Sequence, residues 1–94
     1  MQTNPETSAA GPVPGMPAPA RVKILYPAIT TEPSMHAEIL GVAEKWMQVR
    51  VPRLIVVGST VQVRGGGRVA FGSVRASLAV GCDYEIDVDV ARSS

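Results

Sequence analysis

The sequence has a single cysteine, a single histidine and only four aromatic residues: Tyr26, Trp46, Phe71 and Tyr84. One cysteine excludes an internal disulfide, and the scarcity of Cys and His leaves too few ligands for a transition-metal centre. Cys82 therefore reads as a small buried or half-buried residue. His36, beside Met35 and Ala37, reads as a surface or packing residue. No apolar run approaches the roughly 20 residues of a membrane-crossing helix, so no membrane insertion is expected. The first residues, Met1 to Glu6, lack the basic and apolar regions of a secretory signal, and the cytoplasm is the expected compartment. A marked excess of one charge is also missing. Nine Lys and Arg stand against eight Asp and Glu, which gives no reason to expect a nucleic-acid polymer as partner.

Catalytic constellations are missing too. There is no G-x-S-x-G elbow, and no nucleophile, base and orienting group can be placed together. Gly65-Gly66-Gly67 lacks the Lys-Ser or Lys-Thr of a phosphate loop and runs into a β-pattern at Arg68. It reads as a hairpin loop in which glycine supplies positive φ. The expectation is a non-enzyme without a cofactor or a metal.

Proline is plentiful, and its placement divides the chain. Pro5, Pro12, Pro14, Pro17 and Pro19 lie within residues 1–19, among Ala, Gly, Ser and Thr. That stretch has too few large apolar side chains to offset the entropy of ordering, and it reads as a disordered leader. Pro14-Gly15-Met16-Pro17 has the spacing of a PxxP docking peptide. Residues 20–94 read as one domain, near the lower size limit for folding alone without staples.

Within that domain the period is two. Val22, Ile24 and Tyr26 alternate with Arg21, Lys23 and Leu25 over a first strand at 21–26, and residues 28–34 read as a loop. Residues 35–42 read as a second strand, because Gly41 would weaken a short helix. Strands follow at 46–51 and 60–64, with Gly58-Ser59 as the turn that launches the latter. A fifth covers 68–77. Phe71 and Val74 cannot share a face of an unbroken strand, so Gly72 between them marks a bulge. Leu78 to Cys82 reads as the turn into the last strand, where Tyr84, Ile86, Val88 and Val90 face a core and Asp83, Glu85, Asp87 and Asp89 face water. Same-face carboxylates stand roughly 7 Å apart along a strand, too far to share an ion readily. Arg50, Arg64, Arg68 and Arg75 are available to pair with them. Six short strands with no amphipathic helix predict an all-β, antiparallel, six-stranded barrel. Trp46, at the start of a hairpin, suits either a core anchor or a contact residue with one wet edge.

The stretch from Ala37 to Val90 resembles the PilZ family of small bacterial β-barrels, many of which bind cyclic di-GMP. The residues that carry the resemblance are Ala37-Glu38-Ile39-Leu40-Gly41-Val42-Ala43-Glu44-Lys45-Trp46-Met47-Gln48-Val49, Gly58-Ser59-Thr60-Val61-Gln62-Val63, Val69-Ala70-Phe71-Gly72-Ser73-Val74-Arg75 and Tyr84-Glu85-Ile86-Asp87-Val88-Asp89-Val90. The family's nucleotide motifs are degenerate here. Of the R-x-x-x-R motif only Arg21 remains, with Leu25 four residues on and Lys23 unable to supply a planar fork. The positions matching [D/N]-x-S-x-x-G hold Gly41, Ala43 and Trp46, so the amide or carboxylate and the hydroxyl are gone and an indole replaces the last glycine. Asp87 stands where the closing strand of the family prefers glycine. Each lost hydrogen bond to a charged or polar group removes about 1–3 kcal/mol of affinity. The resemblance therefore implies a degenerate PilZ-like regulatory or adaptor module that acts through protein contacts in motility, signalling or surface attachment. Two alternatives stand beside it. One is residual nucleotide binding through Arg21, Lys23, Arg50 and Arg53; the other is an unrelated SH3-like or OB-like adaptor barrel.

Overall fold

A computed structural model of the chain describes residues 17–27 and 34–93. Six strands follow one another: β1 (Ala18–Tyr26), β2 (Met35–Ala43), β3 (Trp46–Val51), β4 (Thr60–Gly65), β5 (Arg68–Val80) and β6 (Asp83–Ser93). They close into a barrel in the order β1-β2-β3-β6-β5-β4, with every neighbouring pair antiparallel. The all-β barrel expected from the period-two pattern is what forms, and residues 35–42 are strand rather than helix.

Alternation builds the interior. Val22 on β1, Met47, Val49 and Val51 on β3, Val61 and Val63 on β4, Val74 on β5, and Ile86 and Val88 on β6 all point inward and are buried. β-branched side chains dominate because a narrow barrel accepts compact groups that lose little rotamer freedom on a pleated strand. Each fully buried aliphatic side chain contributes about 1.5–3 kcal/mol from removal of apolar surface from water. Ile55, from the loop between β3 and β4, is 1% exposed and joins this core from outside the strand set. The next residue, Val56, starts the turn that holds it there: Ser59 donates to the Val56 carbonyl from its backbone N–H at 3.0 Å and from Oγ at 2.6 Å.

Several boundaries differ from the pattern. β1 begins at Ala18, inside the stretch assigned to the leader, because Pro19 pairs with Glu38 and Ala20 packs in the core. Residues 1–16 of the leader, which hold all of the PxxP spacing except Pro17, lie outside the described residues, as does most of the 28–34 loop. β5 runs to Val80, so residues 78–80 belong to the strand and the turn is only Gly81 and Cys82. Cys82 is exposed at that turn and is not a packing residue.

β5 itself alternates without interruption across Gly72, with Ala70, Gly72 and Val74 inward and Phe71 outward, so the break expected in this strand falls instead on its partner. The β5–β6 register shifts between Phe71 and Gly72 and again between Val74 and Ala76. Phe71 pairs with Arg92 while Gly72 pairs with Val90, so the extra residue of the first shift is Ala91 on β6. Glycine is required at 72 because the strands approach closely: a β-carbon there would collide with the Asp89 carbonyl and come within 2.8 Å of Val88 Cγ1. The glycine hairpin is also as expected, with Gly65 opposite Arg68 and the two turn residues, Gly66 and Gly67, at φ of 59° and 77°.

Candidate functional site

The residues named from the sequence fall into three places. Gly41, Ala43 and Trp46 meet at the β2–β3 hairpin. Ala43 lies opposite Trp46 across a two-residue turn of Glu44 and Lys45, and Gly41 lies opposite Gln48. The strand period puts Met47, Val49 and Val51 inside and Trp46, Gln48 and Arg50 outside. Trp46 is thus not a core anchor. It is a half-buried residue on the outer wall, with its six-membered ring 3.7 Å from where a β-carbon on Gly41 would sit. A β-carbon at 41 would meet the indole in ordinary van der Waals contact, so the ring packs beside this position without requiring glycine there.

Arg21 and Lys23 lie elsewhere, on the outer face of β1. Arg21 is beside His36 on β2 and Arg64 on β4, and Lys23 is beside Gln62, which in turn faces Phe71. The Arg21 guanidinium donates to Ser34 Oγ at 3.1 Å and lies 3.4 Å from the His36 ring nitrogens. On the same wall Arg92 stacks its guanidinium 4.9 Å from the centre of the Phe71 ring. Arg21 and Lys23 of β1, Arg64 of β4 and Arg92 of β6, the last over Phe71 of β5, therefore form a basic band on the outer wall. Gly41 lies five residues along β2 from His36, about 17 Å at strand rise, so the hairpin and the basic band are separate places.

Arg50 and Arg53 do not join either group. Arg50 is held between Glu38 at 3.5 Å and Glu85 at 3.3 Å. Arg53 follows β3 and lines a small apolar recess with Ile24, Pro27, Met35 and Leu54. The acidic face of β6 is paired much as its alternation implied, since Arg75 binds Asp89 at 2.9 Å and Gln48 donates to Asp87. Arg64 and Arg68 do not take part: Arg64 is in the basic band, and Arg68 sits at the end of the glycine hairpin. No group of three metal-ligating side chains converges among the described residues.

Two features were not legible in the sequence. A mouth of about 690 Å³ opens at the end of the barrel where the β2–β3 and β4–β5 hairpins lie, lined by Ile39, Val42, Met47, Val63 and Val90. At the opposite end, Leu54, Val56, Val57, Leu78 and Val80 are exposed around the β3–β4 loop and the β5–β6 hairpin. Both arise from where strands end, which a local pattern does not encode.

Fold and surface together define a small closed antiparallel β-barrel whose polar outer wall separates a basic band from a largely paired acidic face. No protein-family model matches the chain, and no curated protein matches it. Among the described residues no helix is long and apolar enough to cross a membrane.

Proposed function

We propose that this chain is a degenerate PilZ-like binding module that lacks the usual cyclic di-GMP site and works in the cytoplasm as a regulatory adaptor, through protein contacts, in bacterial signalling, motility or surface attachment. The observation that carries the reading is the β2–β3 hairpin. Its two-residue turn and the indole of Trp46 against Gly41 occupy the positions matching the nucleotide motif. No carboxylate, amide or hydroxyl side chain stands at 41, 43 or 46 to bond a guanine edge. Exposed apolar side chains at one barrel end supply surface of the kind that protein contacts bury. The reading is of a non-enzyme, supported by the sequence, which carries no G-x-S-x-G elbow or phosphate loop.

The test is a titration of the full chain with cyclic di-GMP, followed by amide spectra and Trp46 emission. Unmoved resonances support the reading, and saturable micromolar binding with shifts at residues 41–46 overturns it. One observation favours a second reading, retained nucleotide binding. The basic band gathers Arg21, Lys23 and Arg64, none of them ion-paired to a carboxylate among the described residues. On that reading the shifts map to β1 and β4, and Arg21→Glu abolishes them. Arg50, committed to two carboxylates, would play no part.

A further inference from the structure

The β5–β6 hairpin outruns the barrel. β5 pairs with β4 only as far as Ser73, and the last bonds on that side join Val74 to Gly58 and Ser59 at 2.8 and 2.9 Å. Beyond them, residues 76–80 pair with β6 alone among the described residues. The two-residue turn makes Val80 and Asp83 a hydrogen-bonded pair, so Leu78 and Ala76 also exchange bonds with β6. Ser77 and Ala79 then turn their N–H and C=O groups to the opposite edge, where no described residue pairs with them. Natural edges of this kind are blunted by lysine, proline or a covering element. Residues 76–80 read Ala-Ser-Leu-Ala-Val, without lysine or proline, and no described strand pairs with this edge; the bulge at Arg75 lies at its start, and the five residues beyond it are regularly paired with β6. Leu78 is 65% exposed on this edge, and Leu54, Val56 and Val57 are exposed on the loop that leads to Gly58.

We propose that this edge pairs with the same edge of a second copy of the chain, antiparallel about a twofold axis through Leu78. The register follows from the sequence. Ser77 and Ala79 form the hydrogen-bonded pairs with Ala79 and Ser77 of the other copy, which satisfies the outward backbone groups on both. Leu78 then faces Leu78, and Ala76 faces Val80. No charged side chain opposes another, since Arg75 falls opposite Gly81. A one-residue slip would set the outward groups of Ser77 and Ala79 against Val80 and Leu78, whose backbone groups are already bonded to β6, so it is disfavoured. The contact is isologous and closes at two copies.

The mass of the full chain, read by sedimentation velocity or light scattering across concentration, tests this. The expected result is a twofold mass, returned to the monomer value by Leu78→Lys, which sets two ammonium groups face to face. Leu78 is exposed, so the β-sheet spectrum and Trp46 emission of that variant match the parent. Register is read separately with Leu78→Cys in a Cys82→Ser background. Paired non-hydrogen-bonded residues stand at a Cα separation of about 4.5 Å, within disulfide reach, so the variant oxidises to a covalent dimer. Leu54→Cys in the same background does not. A monomer at every concentration overturns the proposal. So does a dimer that survives Leu78→Lys, or one that fails to crosslink at 78.

Discussion

Gly41 and Gly72 are both strand glycines, yet alanine at the two positions is predicted to act in opposite directions. At 72, the new methyl group would strike the Asp89 carbonyl and crowd Val88 Cγ1 at 2.8 Å. The first obstacle is backbone of the neighbouring strand, held in the ladder on both sides of the bulge, and it cannot rotate away. Overpacking of this kind costs about 1–3 kcal/mol, and a backbone obstacle puts Gly72→Ala at the upper end, about 3 kcal/mol. For a domain of this size each kcal/mol moves Tm by about 4–8 °C, so a fall of roughly 12–24 °C is expected. At 41, the nearest atoms to a new β-carbon are Trp46 ring carbons at 3.7 and 3.9 Å, ordinary van der Waals contact. Gly41→Ala removes chain entropy from the unfolded state and is expected to stabilise by about 0.4–1 kcal/mol. Urea denaturation followed by far-ultraviolet circular dichroism measures both, with an unchanged m value confirming that stability alone has moved. A Gly72→Ala variant within 0.5 kcal/mol of the parent would refute the close approach of β5 and β6 at the bulge.

Four further outcomes are predicted. Ile55→Ala, which empties a fully buried position supplied by a loop, should cost about 2–5 kcal/mol in the same denaturation assay; a loss under 1 kcal/mol would mean that the loop does not seal the core. Ser77→Ala removes a sheltered hydroxyl with no hydrogen-bond partner among the described residues and should raise stability by about 1 kcal/mol; a fall of that size would reveal a partner. Arg50→Met breaks ion pairs with Glu38 and Glu85, and because these groups are partly solvated the loss should stay near 1 kcal/mol and shrink in high salt. Cys82, exposed in a turn, should react with a thiol reagent in the folded chain at the rate of a denatured control; strong protection would contradict its placement.

The sequence alone determined the strands and their inward faces. The period of two from Val22 to Val90 is a local property of the chain, and one buried face per strand leaves little freedom in which side chains point inward. The glycine hairpin was legible for the same reason, since it turns on the backbone freedom of one residue type; an irregularity beside Gly72 was legible too, but its extra residue, Ala91, lies on the partner strand, which the β5 sequence does not record. What lies next to what was decided by closure of the barrel. Arg21 meets Arg64 instead of a carboxylate because β4 closes against β1, a neighbourhood that pairing across some 40 residues creates. Trp46 faces outward because the register of β3 against β6 commits Met47, Val49 and Val51 to the core. Arg50 is held by Glu38 and Glu85 because β3 runs between their strands, which separates it from Arg21 and Lys23. The open edge of β5 exists only because its neighbour β4 begins at Thr60, and a strand's own residues do not record where the strand beside it starts.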